Sequence, residues 1–176
     1  MSLSAGALQL AGFLLAHGFW TISDQPGHAY VPQALCETAG GDRRLITFDA
    51  ATPEQSDAEA RSFMGSAAGQ FAECAFAHQS SLESSTGGDA EALTIELTTS
   101  GRAITIVQAF RPGTAEGGFR LLGDELLLDE GGTVLPRSEI NPAIVALREG
   151  AADHPGLGDK WAQWNTGRDP VNPLVK

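Results

Sequence analysis

The chain is poor in positive charge. It holds 11 lysines and arginines against 22 aspartates and glutamates, for a formal net charge of −11, and its lysines are Lys160 and Lys176 alone. A field of that sign repels phosphate backbones and anionic headgroups, so neither nucleic acid nor a membrane surface is an expected partner. Cysteine is equally scarce. Cys36 and Cys74 stand far apart, in no CxxC or Cys/His spacing, which removes the usual zinc signatures. Both fall beside alanines in expected strands, where a reduced thiol acts as a small hydrophobe. A disulfide would require neighbouring strands with close Cβ atoms, and reduced, structural cysteines are the expectation. No metal and no cofactor is expected.

Basic residues are missing from the first 42 positions, the earliest being Arg43. The apolar run Leu8–Ala16 therefore lacks the cationic start of a signal peptide. Gln9, Gly12 and His17 also interrupt it too soon for a membrane span. A buried helix and a cytoplasmic location are the expectation.

Catalytic signatures are absent as well. Ser80, Ser81, Ser84 and Ser85 have no GxSxG context, and neither cysteine has the surroundings of a protease nucleophile. There is no G-x-x-x-x-G-K-[ST] loop, and Gly113–Gly118 lacks the strand-then-helix setting of a dinucleotide site. Asp124-Glu125 and Asp129-Glu130 flank the apolar Leu126–Leu128 and read as strand punctuation.

What is present describes a globular domain: 42% hydrophobic and 19% charged residues, with 21 glycines for turns. Residues 1–165 read as one α+β domain and 166–176 as an irregular tail. Leu8, Leu10, Ala11, Phe13, Leu14, Leu15 and Phe19 make a helix over 4–20 that is apolar nearly all round, as a core or subunit-contact helix is. Gly6, Gly12 and Gly18 each weaken it by about 1 kcal/mol relative to Ala, a cost that close packing against a neighbour would offset.

Two strands follow, over 29–37 and 43–48, joined by the hairpin-like Ala39-Gly40-Gly41-Asp42. Thr52-Pro53-Glu54-Gln55 opens a helix to about Ala68 with an N-cap hydroxyl, proline at N1 and Gln at N3. A strand over 71–79, a loop over 80–90, and a hairpin carrying Leu93, Ile95, Leu97, Ile104, Ile106, Gln108 and Phe110 come next. Another strand spans 119–128, with a break near Gly123-Asp124. Asn141-Pro142 reads as the start of a helix that ends at Gly150, and 160–164 adds a helical turn. Hairpins in runs, without regular βαβ alternation, predict an α+β fold. The expected sheet is mainly antiparallel, of about five to six strands, with two to three helices on one face.

Chemistry concentrates between Leu8 and Pro32. His17, Asp24 and His28 are the catalytic candidates, since two imidazoles and a carboxylate can exchange protons, and Trp20 and Tyr30 are the candidate ligand contacts. Eleven positions separate the two histidines, unlike the short spacings of metal sites. Structural roles for His17 and Asp24 are therefore the stronger expectation. Leu10 and Leu14, with Trp161 and Trp164 at i, i+3, are candidate interface residues.

The run Ala16-His17-Gly18-Phe19-Trp20-Thr21-Ile22-Ser23-Asp24, with Val31-Pro32 and Arg44–Phe48, resembles the opening of a family of small bacterial proteins of unassigned function. Thr21 stands where that pattern carries Ser, and Gln25 where it carries Gly. The resemblance covers the N-terminal third and implies a fold unit and a bacterial origin, not a mechanism. The leading expectation is a non-enzymatic, acidic domain, homodimeric or otherwise homo-oligomeric, acting on a protein partner. The rival is an enzyme or small-molecule-binding domain with a pocket around His17, Trp20, Asp24 and His28.

Overall fold

A computed structural model describes residues 3–82, 90–99, 101–113, 118–157, 159–171 and 173–174. Helix α1 (Ala5–Asp24) starts where the Ser4 hydroxyl accepts the Ala7 N–H at 3.3 Å. Strands β1 (Gln33–Glu37) and β2 (Arg43–Thr47) form the expected hairpin, with Gly41 at φ 87° supplying the left-handed turn residue. Helix α2 (Pro53–Ala67) is capped by Thr52, whose hydroxyl accepts the Gln55 N–H at 3.2 Å. Strands β3 (Glu73–Leu82), β4 (Ala90–Thr99), β5 (Arg102–Arg111) and β6 (Arg120–Leu128) precede helices α3 (Arg137–Ala152) and α4 (Asp159–Thr166). The six strands form one antiparallel sheet in the order β2-β1-β3-β4-β5-β6, and the fold is α+β.

Strand alternation gives the sheet two different faces. Leu35, Ala75, Ala77, Leu93, Ile95, Ile104, Ile106 and Phe110 point to the face covered by α1 and α3. Ala34, Cys36 and Phe76 point the other way and meet Ala60, Phe63 and Met64 of α2. Helices α1 and α3, with Trp161 of α4 in the same core, thus share one face as expected, while α2 lies on the opposite one. Its apolar stripe is matched by small and aromatic residues on the reverse side of β1 and β3. Beyond it Ala90, Ala109 and Leu122 form a further buried cluster against Leu174, while Thr105, Val107, Leu126 and Leu128 remain half-buried.

Helix α1 is long and apolar enough to cross a membrane by length and composition. In the fold it is the central core helix: Leu10, Leu14, Leu15 and Phe19 are almost fully buried against the sheet and α3. Its crossing with α3 is set by glycine. A Cβ at Gly12 would overlap the Leu147 carbonyl, and one at Gly150 would overlap the Gln9 backbone. Both glycines let two backbones touch, which is the offset their helix-propensity cost required.

Four sequence expectations are corrected. Cys36 and Cys74 are disulfide-bonded, because the β1/β3 register places them directly opposite each other. Helix α3 begins at Arg137, so Pro142 lies inside it and Asn141-Pro142 is not its start. Ser80 and Ser81 extend β3, and β4 begins at Ala90; residues 83–89 of the expected loop lie outside the described residues. The tail is pinned in part, since Asp169 accepts the Gly123 N–H at 2.7 Å and donates its own N–H to Leu121 at 2.9 Å.

Candidate functional site

The candidate residues of the Leu8–Pro32 segment separate. His17 and Trp20 share one face of α1, with ring centroids 5.6 Å apart. Asp24 and His28 are exposed at and beyond the end of the helix. In place of a four-residue cluster, His17 meets His154, which the loop after α3 delivers: Nδ1 of His17 lies 3.0 Å from Nε2 of His154. Trp20 and Phe13 close the cluster, 5.7 and 4.9 Å from the His154 ring.

Hydrogen bonding fixes the protons in this pair. The Gly156 N–H donates to Nδ1 of His154 at 3.1 Å, so that nitrogen carries a lone pair. The neutral His154 proton is then on Nε2 and donates to Nδ1 of His17, leaving the His17 proton on Nε2. An added proton would break one of the two bonds. Burial, reinforced by the neighbouring His154, lowers the His17 pKa, and burial lowers that of His154. The arrangement joins α1 to the α3–α4 loop through two neutral imidazoles; it is an architectural lock. His154 was visible in the sequence only as a loop histidine with no near partner, because 137 residues separate it from His17.

Tyr30 is buried, its hydroxyl donating to Gln33 at 2.9 Å and its N–H to the Gln79 side-chain oxygen at 3.2 Å. Burial pushes the phenol pKa well above its ordinary value, which suits a neutral hydrogen-bond donor. The interface candidates are consumed within the chain. Leu10 is 1% exposed, Leu14 0% and Trp161 5%, and Trp164 packs on Phe119 with centroids 4.7 Å apart.

A polar cluster that sequence reasoning missed sits at the β5/β6 bulge. The register shift between Val107 and Ala109 coincides with Gly123 at φ 64°. Gln108 is fully buried there and donates to the carbonyls of Ala109 and Leu122 at 2.8 and 3.2 Å. Glu125, whose side chain is wholly buried, accepts from Arg148 at 2.7 Å and Arg168 at 2.6 Å. Arg168 also donates to Gln108 at 2.6 Å and to the Gly123 carbonyl at 2.8 Å. Asp124-Glu125 is therefore not simple strand punctuation: Glu125 anchors α3 and the C-terminal segment to the sheet edge. The available signal was Gln108, a polar residue in an otherwise apolar alternation.

On the α2 face His78 bonds Glu96 at 3.1 Å, and Arg61 approaches Glu96 at 3.4 Å and Asp57 at 3.1 Å. The His78 hydrogen bond, aided by the Arg61 charge and opposed by burial, holds Glu96 below its ordinary pKa. Beside this group the surface opens into two adjoining clefts of about 460 and 470 Å³. They share Ala29, Tyr30, Pro53 and Gln79, so the 29–32 segment, the start of α2 and the end of β3 form their walls. His28 and Tyr30 line this region; His17 and Trp20 do not.

Among the described residues, no hydroxyl or thiol is hydrogen-bonded to a histidine side chain, and no three metal-ligating side chains cluster. The clefts are concave surfaces of a size that encloses a small ligand. No protein-family model matches this chain, and no curated protein and no solved structure matches it.

Proposed function

We propose that the chain is a non-enzymatic interaction domain whose contact surface is the double cleft around Tyr30 and Gln79. The observation that carries this reading is the contrast between its two histidine-bearing regions. The His17–His154 pair is closed upon itself, whereas the cleft beside His78 is open and walled by fixed elements. Tyr30, held by Gln33 and Gln79, keeps the floor rigid, and a pre-formed concave surface binds without an ordering cost.

We place the protein in an oxidising compartment. The Cys36–Cys74 bond supports this against the cytoplasmic expectation, because such bonds persist where thiols are not kept reduced. Self-association through Leu10, Leu14 or Trp161 has no exposed surface to use. The half-buried Thr105, Val107, Leu126 and Leu128 on β5 and β6 offer a homo-oligomer another surface. Multi-angle light scattering at micromolar concentration tests that expectation, a dimer mass supporting it and a monomer mass ending it.

The cleft assignment is tested by photo-crosslinking in the cells of origin. Ala51→p-benzoylphenylalanine stands in the cleft and Val145→p-benzoylphenylalanine on the exposed side of α3. A discrete adduct from Ala51 alone is the expected result. Equal adducts from both positions, or none from Ala51, would overturn the reading.

A further inference from the structure

The double cleft carries charge of one sign. Its walls include the carboxylates Asp49, Glu54, Asp57 and Glu91, and neither cleft is lined by a lysine or an arginine. Among the described residues Asp49 and Glu54 have no ion-pair or hydrogen-bond partner, and both are exposed. Asp57 shares Arg61, which Glu96 also engages, and Glu91 accepts from Gln79. Between the carboxylates the walls mix apolar residues such as Val31, Pro32 and Ile22 with polar ones such as Ser56, Ser80 and Ser81, and Tyr30, Pro53 and Gln79 stand at the junction of the two clefts. An anion would find one favourable feature, the N-terminus of α2, which is worth about half an elementary positive charge. That end already has Thr52 as its cap and Glu54 in its first turn, so it is answered from within the chain.

Resting on the interaction-domain reading above, we infer that the occupant is an extended protein segment carrying lysine or arginine between apolar residues. The argument is complementarity: a concave surface that carries carboxylates, no basic side chain and apolar patches selects a segment with both cationic and apolar side chains. Volume supports a segment of a few residues, because each cleft alone lies in the range that encloses a small ligand. The general field of a chain at −11 attracts any cation at low salt. At about 0.15 M salt the screening length is about 8 Å, and only carboxylates in contact with the segment still contribute fully.

The test is a titration at that salt concentration with a fluorescein-labelled hexapeptide of alternating lysine and valine, read by anisotropy and by amide shifts of the 15N-labelled protein. The expected result is saturable binding that moves the amides of Tyr30 and Gln79. Affinity should fall about ten-fold in the Asp49→Asn, Glu54→Gln double variant. The Glu59→Gln, Glu130→Gln double variant removes the same charge outside the groove and should change affinity less than about two-fold. Equal weakening in both variants would reduce the effect to bulk charge and overturn the inference. A serine–valine hexapeptide that moves the same amides with equal affinity would overturn the cationic segment while leaving the interaction cleft standing. Spermidine binding more tightly than the lysine peptide would replace a protein segment with a small organic cation. Failure of every probe to move the Tyr30 and Gln79 amides would overturn the inference and the interaction-domain reading together.

Discussion

On one face of the sheet α1 and α3 cross at glycine contacts over a continuous core, with Phe19 and Phe110 buried edge to face at 5.5 Å. On the other, α2 packs its apolar stripe on β1 and β3, and a disulfide joins those two strands beneath it. The first face buries enough apolar surface to hold itself, each fully buried large side chain contributing about 1.5 to 3 kcal/mol. The second has a small cluster of Ala34, Ala60, Phe48 and Phe76 with Phe63, Met64 and Phe71 packed around it, and it adds a covalent link. The difference teaches where each kind of support is placed: close packing organises the larger core, and cross-linking secures the smaller cluster under α2.

The largest expected effect is on the cluster under α2. Cys36→Ser with Cys74→Ser releases a link across a separation of 38 residues, worth about 4 kcal/mol in the chain-entropy limit. Denaturant unfolding should show that loss, and mass spectrometry of the unreduced protein should find no alkylatable thiol. A free-thiol count of two in protein taken from its native compartment would remove the contrast between the faces.

In the larger core, Gly12→Ala drives a Cβ into the Leu147 carbonyl. Overpacking costs about 1 to 3 kcal/mol, and against backbone the upper end applies; it outweighs the roughly 1 kcal/mol of helix propensity gained. A net loss of about 2 kcal/mol in thermal or urea unfolding is expected, while Gly65→Ala, with open space around it, should be neutral or stabilising. Equal effects at both glycines would show that α1 and α3 do not touch as described.

A smaller effect belongs to the His17–His154 pair. His17 and His154 have folded pKa values lowered below the ordinary histidine value of about 6.5. The unfolded chain then binds more protons than the folded one, so their contribution is fully present above that value and is lost as pH falls toward the folded values. His17→Phe should flatten the loss of stability on acidification below about pH 6.5. An unchanged acid limb in the His17 variant would break the assignment of the neutral pair.

The smallest effect belongs to Arg61. Arg61→Ala removes half-exposed contacts to Asp57 and Glu96 and should cost less than about 1 kcal/mol. A loss well above that would mean that α2 is held to the sheet by charge rather than by Phe63 and Met64.

Local signals were legible wherever a few neighbouring residues decide. Thr52-Pro53 marked the start of α2, Gly41 the hairpin, and the alternation from Leu93 to Phe110 the β4/β5 pair. The candidate site was legible by half. Tyr30 and His28 do line the clefts, but His78, Gln79 and the start of α2 join them only through strand pairing. His17 drew attention for its place near the end of α1, yet its partner comes from a loop 137 positions later. No periodicity carries information over that distance.

The sequence by itself determined the helix and strand periods, the turn glycines, the excess of acid and the apolar character of α1, since each depends on residue type or on neighbours within one turn or one pleat. Tertiary structure alone decided that Cys36 faces Cys74, that His17 meets His154, that Glu125 is buried between two arginines, and that four carboxylates line one groove. Those outcomes depend on sheet order and helix placement, which arise from burying the whole apolar surface at once, and a linear reading contains no distance between residues that folding brings together.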